Sequence, residues 1–309
     1  MNTNPIISIV VPCYNEENVI EIFLKRIELT LVQLNKGYEI IFINDGSEDN
    51  TLNVMLDVKK DHKNIRILSL SRNFGKEAAL TAGLENAKGE AVIPIDVDLQ
   101  HPPELIPVFI EKWEEGYEVV AGKRINRLGE HNLKKISAKL FYKIHNSISD
   151  ITIPGDIGDY RLMSRKVVRS LSELPENQRF MKGIFAWVGY KTAVVEYKQE
   201  KRAAGQSNFS GWKLWNFALD GITSFSTAPL RIWLYIGIVI SSISFVYGLS
   251  IIIKTLIFGI DLPGYASLIS ILLFLGGMQL IGIGILGEYI GRIYKESKRR
   301  PIYIIENEY

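Results

Sequence analysis

The chain has 309 residues, a formal net charge of +2 and a single cysteine, Cys13. A nearly balanced charge gives no electrostatic case for a nucleic-acid partner, and one cysteine excludes an internal disulfide framework. The length suits one large domain or two smaller ones.

The first segment, Met1-Asn2-Thr3-Asn4-Pro5, lacks a basic region, and the apolar run Ile6–Val11 behind it is too short for a signal peptide. The early chain is therefore expected in the cytosol. Ile6–Val11 reads as a buried strand, and Asn15 is placed to cap a helix running to about Leu34, with apolar residues at 19, 20, 23, 24, 27 and 31. Tyr38–Ile43 and Ile65–Leu70 read as further strands, followed by helices over about 49–60 and through Ala78–Leu84. Ala91–Ile95 is a fourth strand, Glu104–Trp113 a helix and Tyr117–Ala121 a fifth strand. Strands alternating with helices predict an α/β fold with a mostly parallel sheet.

Polar residues collect behind the strand ends. Asp45, Arg72, Asn73, Lys76, Asp96 and Asp98 all sit there, where open parallel sheets form their ligand crevice. The first strand is not followed by the glycine pattern of a dinucleotide site, and no Walker-type phosphate loop is present. Asp96 and Asp98 are spaced i, i+2, so an extended backbone turns both carboxylates to one face. Two hard oxygen donors this close suit Mg²⁺ or Mn²⁺, ions that also keep waters and substrate phosphates. Cys13 has no histidine beside it and reads as a small buried residue rather than a nucleophile.

Ile232–Ile253 and Leu262–Gly287 are uncharged apolar runs, each long enough to cross a bilayer. Arg231 precedes them, and Arg292, Lys295, Lys298, Arg299 and Arg300 follow. The positive-inside rule then places both ends of the hairpin in the cytoplasm. Residues 209–231, with Trp212, Trp215, Phe217 and Phe225, read as an amphipathic segment at the membrane interface. The expected organisation is a catalytic domain over 1–208, the interfacial segment over 209–231, a membrane hairpin over 232–288 and a basic cytoplasmic tail over 289–309.

Pro12-x-Tyr14-Asn15-Glu16, Asp45-Gly46-Ser47, Arg72-Asn73-x-Gly75-Lys76 and Asp96-x-Asp98-Leu99-Gln100-His101-Pro102-Pro103 together resemble the family 2 glycosyltransferases of GT-A fold. The subgroup most alike is the polyisoprenyl-phosphate glycosyltransferases, such as bactoprenol glucosyltransferases and dolichyl-phosphate mannose synthases. The likeness runs through Gly158-Asp159-Tyr160-Arg161-Leu162-Met163 into the hairpin and so covers nearly the whole chain.

The resemblance implies a metal-dependent, inverting transfer of one hexose from a nucleotide sugar to polyprenyl phosphate at the plasma membrane. UDP-glucose is the expected donor and GDP-mannose the alternative. A catalytically inactive, membrane-anchored binding protein is the non-enzymatic alternative, and a homo-tetramer is the expected assembly. Asp98 is the expected direct ligand of the metal, with Asp96 on the metal or the donor sugar. Pro12, Tyr14, Glu16 and Asp45 line the nucleotide pocket, Lys76 or Arg72 meets the diphosphate, and Gln100 touches the sugar. Asp159 takes the position of the catalytic base, or orients Arg161 and the acceptor. Arg161, Arg179 and Arg202 are the cations for the acceptor phosphate. The usual Gly-x-Ser-Lys-Tyr pattern is broken here, because Ser207 is followed by Asn208 and Phe209, so one cation is missing.

Overall fold

The computed structural model describes residues 6–126, 143, 145–149, 151–200, 219–259 and 264–309. Arg202 and residues 209–218 of the expected interfacial segment lie outside the described residues. Four parallel strands form the centre: β1 (Ile7–Cys13), β2 (Tyr38–Asn44), β3 (Ile65–Leu70) and β4 (Ala91–Pro94). They alternate with α1 (Ile20–Gln33), α2 (Thr51–Asp61) and α3 (Lys76–Asn86), and α4 (Ile106–Glu114) follows β4. Next come β5 (Val119–Asn126), β6 (Ile157–Ser164), α5 (Arg165–Ser172), α6 (Met181–Trp187) and β7 (Thr192–Lys198). All join one eight-stranded sheet in the order β7-β5-β6-β4-β1-β2-β3-β8, where β8 is Ile305–Glu308.

The strand runs are apolar throughout because helices cover both faces of the sheet. Side chains alternate between two cores as the pleat requires. Ile7, Ile9 and Val11 pack with Phe23, Ile27 and Phe109 on the side of α1 and α4. Val10, Ile41 and Ile43 pack with Ala79, Leu80 and Val167 on the side of α3 and α5. Each fully buried Ile or Leu contributes about 1.5–3 kcal/mol.

The topology reverses beside β1, with β2 on one side and β4 on the other. The crevice of an open sheet lies outside the carboxyl ends of the strands at such a point. Next to β4 runs β6 in the opposite direction, with Ala91 paired to Ser164 and Val92 to Met163. Carried forward, that register brings Asp159 opposite Asp96. The sheet therefore delivers two distant carboxylates to one spot.

Two local expectations change. Asn15 does not cap α1. Its φ is 55°, its Oδ1 accepts the Glu48 amide at 2.9 Å, and the helix starts only at Ile20. A short amide side chain tolerates this left-handed backbone, so Asn15 ties two loops together instead. The stretch expected as a basic tail also carries a strand. β8 pairs antiparallel with β3, and Arg66 bridges Glu39 at 2.9 Å and Glu308 at 2.6 Å. The acidic side chains of β8 suit an edge strand, since charge there discourages further pairing.

Two helices, α7 (Ala228–Phe258) and α8 (Tyr265–Ser297), are long and apolar enough to cross a bilayer. Large apolar side chains stand fully outward, Leu256 at 81% and Phe258 at 80% exposure, a surface that water does not stabilise. Pro229 occupies the first turn of α7, where its missing N–H costs nothing. Residues 219–225 are helical. Phe225 there packs on Phe180, ring centroids 6.1 Å apart, and so faces the catalytic domain rather than lipid.

Candidate active site

Lys76 is the hub of the crevice. It opens α3, where the helix N-terminus adds positive potential. Its Nζ lies 2.7 Å from Asp96 Oδ1 and 3.2 Å from Asp159 Oδ2. Burial pushes the Asp96 carboxyl up, but the Lys76 ammonium and the His101 imidazole outweigh it and hold that carboxyl well below the usual range. Asp159 is likewise pushed up by burial and held lower by Lys76, so it is ionised at neutral pH. A small cavity between these groups is closed by Pro12, Leu80, Pro94 and Tyr160.

An aromatic wall fixes the far side. His101 stacks on Tyr160 with centroids 5.1 Å apart, and its Nδ1 is 2.6 Å from the Tyr197 hydroxyl. That leaves Nε2 facing Asp96 at 3.7 Å. Tyr160 is fully buried and donates its hydroxyl proton to the Pro102 carbonyl at 2.8 Å. The ring positions are thus set by hydrogen bonds as well as packing.

Past β4, exposure alternates. Ile95, Val97 and Leu99 are buried, while Asp96, Asp98 and Gln100 are partly exposed. The three polar side chains therefore share the open face. Asp98 Oδ1 accepts the Gln100 amide at 3.1 Å. Among the described residues no cluster of three His, Cys, Asp or Glu side chains forms a closed metal cage. The donor set still fits Mg²⁺ or Mn²⁺, since hard carboxylate oxygens on an open face leave coordination positions for diphosphate and water.

Residues 8–172 match the family model "Glycosyl transferase family 2", and residues 228–293 match the "GtrB C-terminal hairpin". This chain belongs to glycosyl transferase family 2. It is 56% identical to a bactoprenol glucosyl transferase of Shigella phage SfV over 98% of both chains. A prophage bactoprenol glucosyl transferase homolog of Escherichia coli K12 is 53% identical over 97% of this chain and 98% of its own. An uncharacterised glycosyltransferase of Synechocystis is 52% identical over 97% and 95%. In fold, the chain is similar to glucosyl-3-phosphoglycerate synthase from Mycobacterium tuberculosis, at a TM-score of 0.51 and 22% identity over 71% and 76% of the two chains.

In this family 2 glycosyltransferase the structure brings Pro12, Lys76, Asp96 and Asp159 to one cavity. Tyr14 stands 42% exposed just beyond β1, and the Glu16 amide is tied to Thr51 Oγ1 at 2.8 Å. Asp45 is buried, and its two oxygens accept the Phe74 and Gly75 amides at 2.7 and 2.9 Å. It holds the loop that presents Lys76. Gly46, φ 63°, lies against the Arg72–Asn73 backbone, where a Cβ would come within 2.3 Å, so only glycine fits. Arg72 is exposed, lies over the Phe74 ring at 4.0 Å and donates to the Asn73 carbonyl.

Arg179 does not reach the site. Its guanidinium donates to the carbonyls of Leu171 and Leu174, both at 2.9 Å. The last carbonyls of a helix lack partners, and a buried cation beside the end of α5 satisfies them. Arg161 is also buried. Its guanidinium lies 3.9 Å over the Phe185 ring and donates to the Gly158 carbonyl. Its guanidinium is occupied by Gly158 and Phe185 rather than standing open to a phosphate, and its charge reaches Asp159 only through space. Burial draws Arg161 down to about 10, against the pull of Asp159.

His101, Tyr197, Lys182 and Glu77 are site residues that sequence reasoning left without roles. His101 had a signal, since it closes the Asp96–Pro103 motif. Glu77 follows Lys76 and carries a buried oxygen, Oε2, with no hydrogen-bond partner. Burial, and then the Asp159 charge, push its carboxyl up to about 8 against Lys76 and Lys182. A raised carboxyl stabilises the fold below its unfolded pKa and loses that contribution as pH climbs through the folded value. Glu77→Gln is therefore expected to melt with wild type at pH 5 but above it at pH 9. The gain is on the order of 1–3 kcal/mol, or about 2–4 °C per kcal/mol. Parallel Tm–pH curves would show that Glu77 is not a buried acid.

Proposed function

We propose that this glycosyltransferase moves glucose from UDP-glucose onto polyprenyl phosphate at the cytoplasmic face of the membrane, inverting the anomeric carbon. The observation that carries the reading is the near-full-length similarity to bactoprenol glucosyl transferases, hairpin included. The crevice supplies matching chemistry, with an acidic pair on its open face and an ionised carboxylate beside Lys76.

An acceptor phosphate oxygen attacks C1 of the glucose as the bond from C1 to the UDP oxygen breaks. The departing electron pair stays on the diphosphate. Asp98, with Asp96 beside it, would hold a Mg²⁺ or Mn²⁺ ion, which would supply charge neutralisation at that leaving group. Lys76 has an exposed face and adds a second positive charge there. A phosphate monoester has a second pKa near 6, so the acceptor is already mostly dianionic at pH 7. Asp159 therefore takes any remaining proton and orients the acceptor, while the Arg161 charge acts on it through space. The chain just before α7 packs on the catalytic domain through Phe225 and Phe180, and the chain after α8 joins its sheet through β8, which supports placing both ends of the hairpin on the cytoplasmic side. In the same reading, copies associate through the hairpin, where Gly276, Gly277, Gly284, Gly287 and Gly291 face open space.

The test incubates the purified protein in liposomes with labelled UDP-glucose, Mg²⁺ and undecaprenyl phosphate. The expected result is label in the organic phase that depends on the acceptor phosphate, with none from undecaprenol. Label from GDP-mannose alone would replace the donor, and donor binding without product would remove the enzyme reading.

A further inference from the structure

The cytosolic end of α8 grips the segment that leads into α6. Glu296 accepts the amides of Asn177 and Gln178, each at 3.0 Å, so one carboxylate fills a pair of adjacent backbone donors. One turn earlier, Arg292 is 11% exposed and contacts Asp220 at 2.6 Å and Glu288 at 2.8 Å. Its other nitrogen reaches Gln178 Oε1 at 3.2 Å and Ser224 Oγ at 3.3 Å. Hydrogen bonds to charged partners are the stronger kind, and several converge here on one loop.

What this loop carries explains the grip. Three residues past Gln178, α6 begins. From α6, the Phe185 ring lies 3.9 Å from the Arg161 guanidinium, two residues along β6 from Asp159, and Lys182 lies in electrostatic reach of Asp159. From the other side, helix 219–225 seats directly on α6, where a Cβ on Gly183 would fall 2.2 Å from the Phe225 ring. Tyr289 of α8 donates to the Ser226 carbonyl at 2.7 Å. The first turn of α6 is thus held between the membrane helix and the chain that enters the membrane.

We propose that Arg292 and Glu296 are positioning residues for transfer, fixing α6 against Arg161 on the Asp159 strand at a set height from the bilayer so that a membrane-held phosphate meets the catalytic carboxylate. This rests on the reading of Asp159 and a lipid phosphate given above. Neither residue touches the reacting atoms. They act through the 177–182 segment, as a supporting shell holds a site in register.

The experiment compares two acceptors in the full-length protein in liposomes, undecaprenyl phosphate in the bilayer and water-soluble geranyl phosphate. For Arg292→Ala and Glu296→Ala, the KM for undecaprenyl phosphate is expected to rise about tenfold or more. The KM for UDP-glucose should stay within about twofold, and geranyl phosphate should lose less than about threefold, since a free acceptor adjusts its own height. Arg292→Lys, which keeps the charge facing Asp220, should recover part of the lipid KM. Equal losses with both acceptors, or an unchanged lipid KM, would overturn the proposal. A wild-type protein that glucosylates neither acceptor takes down the functional reading and this one together.

Discussion

Asp159→Asn is expected to lower kcat by roughly 10²–10⁴-fold while UDP binding stays as in wild type. The substitution keeps size and shape and removes one charge. Lys76 retains Asp96 at 2.7 Å, so the donor side of the crevice keeps its main ion pair. The acceptor side loses the carboxylate that Arg161 faces. The pH profile adds a second readout. Asp159 lies below the ordinary carboxylate range because Lys76 outweighs its burial. Its charge is therefore present above pH 4 and lost only in stronger acid, and it contributes no acid limb at neutral pH. The acid limb of wild type should instead follow the acceptor phosphate, near pH 6. Near-normal turnover of Asp159→Asn at pH 7.5 would remove the residue from the reaction.

Chelation is expected to have an effect of similar size. EDTA should abolish transfer, and Mg²⁺ or Mn²⁺ should restore it. Asp98→Ala should lower kcat on the order of 10²–10³-fold, the rate equivalent of about 3–4 kcal/mol of lost charge stabilisation. A readout independent of turnover is Mn²⁺ binding with UDP present, followed by the EPR signal of the free ion. Its affinity should fall at least about tenfold in Asp98→Ala. Asp96→Ala should behave differently, because Asp96 also holds Lys76 and faces His101. That variant is expected to lose donor binding as well. Transfer that survives both EDTA and Asp98→Ala would exclude a metal role for this carboxylate.

The four central strands were legible because each is buried on both faces and so reads as an apolar run. The carboxylate pair was legible from its i, i+2 spacing, which survives as alternating exposure beyond β4. β8 was not. Ile305-Glu306-Asn307-Glu308 has little strand character of its own, and pairing with β3 and Arg66 makes it one. Tyr197 and Lys182 were hidden because tertiary packing brings them to the site from β7 and α6. Arg179 was misplaced for the converse reason. A cation beside a polar motif reads as a phosphate ligand until the carbonyls at the end of α5 are seen to claim it. Family membership was readable because several short motifs keep their order, even though single roles within them shifted.

The pairing of β8 with β3 has a mechanical outcome. A domain hung from one linker swings and sweeps out a volume above the membrane. Here the two long apolar helices, α7 and α8, follow the catalytic domain in sequence, and the chain after them is stitched into the edge of its sheet by β8. With the hairpin in the bilayer, as proposed above, such a domain would be moored at two points and would not trail away on a leash. Its reach toward lipid is short and constant. The supply of acceptor then depends on lateral diffusion within the leaflet, so turnover at low acceptor should track the surface density of the lipid phosphate rather than its bulk concentration.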